Sequence, residues 1–100
     1  MKQDIFNKYT EKVCDLFSVE QKLLFEKVKR QDVVDARHLL YYLCAERPMK
    51  AVYIREYMAE KGYIIDNSSI QYGIKSVKKR AKKDKDYIQA IKKIKKCSIV

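Results

Sequence analysis

The sequence predicts an all-α domain, a small bundle of five to six helices that contains a helix-turn-helix. Three observations lead there. Apolar residues recur at three- and four-residue spacing along most of the chain, the period of a helix with one buried face. Only two glycines and one proline are present, so the tight turns of a strand meander are scarce. Asp, Asn and Ser stand in front of several apolar-periodic runs, where their side chains can cap a helix. With 47% hydrophobic and 36% charged residues, the 100-residue chain has a globular composition and is expected to form one domain over residues 1–100.

From Asp4 to Phe17, apolar positions fall at Ile5, Phe6, Tyr9, Val13, Leu16 and Phe17. Thr10-Glu11-Lys12 is expected to interrupt this run, giving a helix and then a short second one. Residues 18–31 leave two readings open, a helical turn around Leu23–Val28 or a small hairpin. Asp32 is a candidate N-cap for the helix behind it, whose buried stripe is Val33, Ala36, Leu39, Leu40, Leu43 and Cys44. Pro48 lacks an amide donor and ends that helix near Glu46. A further helix spans Ala51 to Lys61 with Ala51, Ile54, Tyr57 and Met58 inward, and Gly62 suits the left-handed residue that closes it. The next begins at Asn67 or Ser68, since Ser68 with Gln71 fits a capping box and Asn67 is an equally good cap. Its stripe is Ile70, Ile74, Val77 and Ala81. Asp84 and Asp86 then open a last helix with Tyr87, Ile88, Ile91 and Ile94 inward.

The net charge of +10 is unevenly placed: residues 1–50 carry ten Lys/Arg against eight Asp/Glu, and residues 51–100 carry thirteen against five. An excess concentrated in one half attracts a polyanion, either nucleic acid or an anionic lipid surface. Cys14, Cys44 and Cys97 are widely spaced, with His38 the one imidazole, so no metal site is expected. Cys14 and Cys44 sit among apolar neighbours and read as buried thiols of a reducing compartment. With no leader-like apolar run near Met1 and no segment of membrane-spanning length, a cytoplasmic location is expected.

Placing Ile70, Ile74, Val77 and Ala81 against the core turns Ser68, Tyr72, Lys75 and Lys79 outward, with Gln71 and Lys82 at the edge of that face. Small hydroxyls and an amide near the helix start can reach base edges, and lysines further along can reach phosphates. The preceding helix and the link 62–67 would supply the first half of a helix-turn-helix spanning about 51–82.

Taken together, these segments resemble the C-terminal DNA-binding domain (domain IV) of the bacterial replication initiator DnaA, a Trp-repressor-like helical fold. IFNKYTEKVCDLFS (5–18) is similar to the family's opening helix and "V-x-D-L" helix. DARHLLYYLCAE (35–46) resembles the long helix that starts "x-P-R-Q". IDNSSIQYGIKSV (65–77) stands where the family carries "R-D-H-T-T-V" running into its recognition helix. The resemblance implies double-stranded DNA binding, with Asp66, Asn67, Ser68 and Ser69 at the D-H-T-T positions that contact bases and backbone. It places Arg37 at the arginine of "P-R-Q", and Lys27, Lys29 and Arg30 in a basic loop on the flanking backbone. The chain departs from the pattern at Ile65 for the arginine, Asn67 for the histidine, serines for both threonines, and Asp35 where a basic residue is frequent. Segment 18–31 is longer than the family's loop, and a few residues are inserted around 46–61. A changed set of side chains on one scaffold implies a different preferred sequence.

No GxxxxGK[ST] phosphate loop is present, so no nucleotide cofactor, small-molecule substrate or enzymatic activity is expected. His38 and Cys44 lie six residues apart, on different faces of one helix, without an acid to orient the imidazole. Cys97-Ser98-Ile99-Val100 has the form of a prenylation box behind Lys95-Lys96, but Ser98 is not aliphatic and Val100 is not a usual last residue, so a membrane partner is not expected. The DNA-binding role would lie in transcription regulation or replication control in a bacterium, phage or mobile element. The alternative is a protein-interaction module or virion component that keeps the scaffold without base readout. Pairing of two copies, or a protein partner, is left open.

Overall fold

The computed structural model describes residues 2–97, with helices α1 (Lys2–Phe17), α2 (Gln21–Leu24), α3 (Gln31–Glu46), α4 (Ala51–Glu60), α5 (Asn67–Lys83) and α6 (Lys85–Cys97). No strand occurs among the described residues, and the fold is a small all-α bundle. Met1 and Ser98–Val100, the latter the last three residues of the prenylation-like box, lie outside them.

Helix α1 runs unbroken through Thr10-Glu11-Lys12, contrary to the expected interruption. The reason is local: Thr10 is buried, and its Oγ1 donates to the Phe6 carbonyl at 2.8 Å, so the hydroxyl is satisfied inside the helix. Phe6, Tyr9, Val13 and Cys14 then share one buried face, while Leu16 is left exposed. The helix ends at Ser18, whose φ of 55° is left-handed. There Val19 N–H donates to Cys14 O at 3.0 Å and Ser18 N–H to Asp15 O at 3.4 Å, a Schellman closure without glycine. Residues 18–31 form the short helix α2 and a bend, not a hairpin.

Helix α3 is the centre of the bundle and packs against α1, α2, α4 and α5. Its expected stripe of Val33, Ala36, Leu39, Leu40, Leu43 and Cys44 is buried, but Arg37 and Tyr41 are buried as well, because neighbours enclose the helix on more than one side. It starts one residue before Asp32, which is not its N-cap. Asp32 Oδ1 accepts from Val33 N–H and from Arg30 Nε, both within the first turn.

Helix α4 buries Ile54 and Met58, with Ala51 and Tyr57 half-buried. Gly62 closes it at φ 96°: Gly62 N–H donates to Ala59 O at 2.9 Å and Tyr63 N–H to Met58 O at 3.0 Å. A side chain rarely adopts that φ, so glycine is the residue that lets the chain turn back here. The C-terminal pair is tied to α3 by ion pairs and joined by a ring contact and a cap. Arg80 pairs with Asp35 at 3.5 Å and lies over the Tyr87 ring at 4.3 Å, and Lys95 reaches Glu46 at 3.0 Å. Asp84 Oδ1 accepts from Tyr87 N–H at 3.1 Å and starts α6, whereas Asp86 makes no cap bond and sits exposed in the first turn. Tyr87, Ile91 and Ile94 are buried and Ile88 half-buried.

Candidate nucleic-acid interface

The outward face of α5 begins at a cap. Asp66 takes an extended backbone (φ −101°, ψ 170°), and its Oδ1 accepts from Ser69 N–H at 2.8 Å. The cap is therefore Asp66, not Asn67 or the Ser68–Gln71 box. That bond holds the Asp66 carboxyl below its usual pKa of 3.8. It leaves exposed Asn67 and Ser68 free of capping, while the exposed Ser69 hydroxyl also bonds the Asp66 carboxylate.

Behind the cap, Ile70, Ile74 and Val77 are buried and Ala81 is half-buried, as the stripe requires. Gly73 joins them, with space for no side chain: a Cβ there would stand 2.9 Å from His38 Cδ2 and 2.9 Å from Tyr41 Cδ2. This close approach lets α5 lie against α3. It turns Ser68, Gln71, Tyr72, Lys75 and Lys79 to solvent together. Lys78, Lys82 and Lys83 are exposed on the same helix. None of these five lysines has an ion pair or side-chain hydrogen bond among the described residues. Over residues 61–83 seven basic side chains face the single acid Asp66. The C-terminal lysines are favourable at the negative end of the helix dipole, but Lys75 lies two turns earlier and has no such compensation. Lys78 and Lys83 were missing from the face drawn from sequence, although the three-residue step from Lys75 to Lys78 carries the signal.

The basic loop before α3 is held beside this face, by a residue given another role above. Arg37 is not on the surface; it is 6% exposed. Its Nε donates to Leu24 O at 2.9 Å, and its Nη2 donates to Leu23 O at 3.2 Å and Glu26 O at 2.9 Å. Its guanidinium lies 4.5 Å from the Tyr63 ring centroid. Three of its five donors serve carbonyls of α2 and of the bend after it, and the side chain is buried, which disfavours the phosphate contact that the resemblance implies. Instead it joins the 23–26 bend to the 61–66 link. Lys27 adds a second tie, donating from Nζ to Ile64 O at 3.2 Å and lying 4.8 Å from the Tyr63 ring centroid. Lys29 and Arg30 are exposed in the same loop. Lys29 is unpaired among the described residues, while Arg30 is bonded to Asp32 at 2.7 Å.

Between α3 and the start of α5 lies an open cleft of about 390 Å³, lined by Arg37, Tyr41, Tyr63, Ile65, Ser68 and Tyr72 among others. Ile65, half-buried, fills the side of this cleft. His38 meets Tyr72 edge-on at 5.9 Å. Burial, opposed by Asp35, pulls the His38 pKa below 6.5. Cys44 is fully buried, and burial pushes its thiol up to about 12; Cys14 is likewise raised to about 11. Neither thiol is an accessible thiolate nucleophile.

Among the described residues no helix is long and apolar enough to cross a membrane, and no three His, Cys, Asp or Glu side chains are grouped to hold a metal ion. No protein-family model, curated protein or solved structure matches the chain.

Proposed function

We propose that this chain binds double-stranded DNA through α5, with the first turn of that helix at base edges and its lysines on phosphates. The supporting observation is the single exposed face on which Asn67, Ser68, Ser69, Gln71 and Tyr72 lead into Lys75 and Lys79, while the opposite face is buried. Such a face has the Ser68 hydroxyl and the Asn67 and Gln71 amides free of other bonds at its start and uncompensated positive charge behind them. That is the division of labour of a recognition helix: polar groups specify and cations anchor. Helix α4, the turn at Gly62 and α5 would then be the helix-turn-helix. The resemblance to the DnaA C-terminal domain points the same way, putting Asp66, Asn67, Ser68 and Ser69 at positions that contact DNA, and the bond from Ser69 N–H makes Asp66 the cap that orients its neighbours. Lys27 and Lys29 extend the contact to the flanking backbone, with Arg37 positioning them. A domain of this kind suits transcription regulation or replication control, by occupancy of a preferred sequence.

Electrostatic anchoring sets the test. If about five phosphates are neutralised, the logarithm of the association constant falls with the logarithm of salt at a slope near −4 to −5. Fluorescence anisotropy with a labelled duplex at several salt concentrations measures it. A slope near zero would remove DNA as the partner and favour the alternative of a protein-interaction module, for which Ile65 in place of a signature arginine is the supporting residue.

A further inference from the structure

Three large apolar side chains are exposed among the described residues: Leu16 on α1 at 43%, and Ile64 and Tyr72 at 68% and 67% on either side of the first turn of α5. Ile64 has a structural reason to be out. Its neighbours Tyr63 and Ile65 both line the cleft, and the chain between them exposes the intervening residue. Lys27 is bonded to the Ile64 carbonyl itself, exposed Lys29 follows in the same loop, and Lys75 and Lys79 lie further along α5. The result is an exposed apolar side chain beside a lysine on a basic stretch of surface.

Charge complementarity calls for a polyanion, and the apolar spot calls for one that carries small hydrophobic projections. Duplex DNA has them in its major groove as the 5-methyl groups of thymine. An anionic bilayer also offers charge and apolar matter, but it fits poorly here. Between Ile64 and Tyr72 stand Asp66, Asn67, Ser68 and Ser69, all exposed, and sinking that carboxylate and those polar groups among acyl chains would strip their water without replacing it. Base edges supply donors and acceptors for the same groups.

We infer that Ile64 is a specificity-determining residue that packs on a thymine methyl, so that the preferred duplex requires thymine at one fixed position beside the groups read by α5. This rests on the DNA-binding proposal above, and the two can fail separately. The test takes the tightest duplex selected by the full chain from a random library and replaces each thymine singly by deoxyuridine, which removes the methyl alone. At one position the exchange should raise Kd about fourfold, the value of one buried methyl. Ile64→Ala, with folding checked by circular dichroism, should weaken binding to the thymine duplex by a similar factor and bring the uracil/thymine ratio at that position close to one. Ile64→Val should retain most of the ratio. Tight binding that ignores every uracil exchange, or an Ile64→Ala variant with the full ratio, would overturn the inference and leave DNA binding standing. Ile64-dependent sedimentation with phosphatidylglycerol vesicles and no affinity for any duplex would overturn both.

Discussion

Arg37 offers the sharpest prediction, because its place in the structure and its place in the resemblance differ. Removing it by Arg37→Ala deletes three hydrogen bonds from a cationic donor to the carbonyls of Leu23, Leu24 and Glu26, and a cation–ring contact with Tyr63. Bonds of this type contribute about 1.5–3 kcal/mol each. They are not additive, and the Leu23 and Glu26 carbonyls lie close enough to the surface to recover water. The Leu24 bond is buried and does not recover so easily. A net loss of about 2–4 kcal/mol follows, a large share of the stability of a domain this size. In melting temperature that is a fall of roughly 10–25 °C. Arg37→Lys should restore less than half, since one ammonium cannot span three carbonyls that a forked guanidinium reaches. Urea denaturation of the wild type and both variants, followed by helical circular dichroism, provides the numbers. If Arg37→Ala unfolds within about 0.5 kcal/mol of the wild type yet binds DNA more weakly, the guanidinium faces phosphate and its burial is wrong.

Other consequences can be checked on the same preparations. Gly73→Ala should destabilise by about 1–2 kcal/mol despite alanine's better helix propensity, because the new methyl meets the His38 and Tyr41 rings; a more stable variant would show that these rings give way freely. Asp66→Ala should lower the melting temperature at neutral pH. The folded carboxyl has a depressed pKa, so its contribution is complete above the unfolded value of 3.8 and fades as pH falls through the lower folded value. Wild type and variant should therefore converge in acid, and a gap that persists there would mean that the carboxylate is not the cap. Lys79→Gln should weaken all duplexes alike and make the salt slope shallower by about one. Ser68→Ala should instead change the preferred sequence, shifting competition between duplexes by about 1–3 kcal/mol. A uniform loss from Ser68→Ala would place that hydroxyl on the backbone.

Where the sequence is read correctly, one physical cause dominates the local outcome. Pro48 has no amide to continue α3, Gly62 takes a φ that other residues avoid, and the Ile70–Ile74–Val77 period admits one buried orientation of α5. Failures come where two local solutions are nearly equal. Asp66, Asn67 and Ser68 are all competent caps, and the choice among them depends on how the link leaves Gly62. Thr10 breaks a helix only if its hydroxyl lacks a partner, and here Phe6 supplies one. Ser18 reaches a left-handed conformation that composition gives no reason to assign to it. Arg37 is the most instructive case. Arginines are rarely buried, so charge alone puts it outside, and only the three carbonyls of a bend brought in from eleven to fourteen residues away account for its place inside. For the candidate interface, periodicity is enough to assign the outward face of α5. The connection of that face to the loop carrying Lys27 and Lys29 depends on Arg37 and Tyr63, which no pattern in the sequence joins.

The most direct test is a titration of the ¹⁵N-labelled chain with its selected duplex, followed amide by amide. If α5 enters the groove, the largest shifts gather at 64–72 and 26–30 and continue along 75–83, while the outer surface of α1 stays where it was. Shifts centred on α1 or α4, or an unchanged spectrum at saturating DNA, would contradict the placement of α5 in the groove.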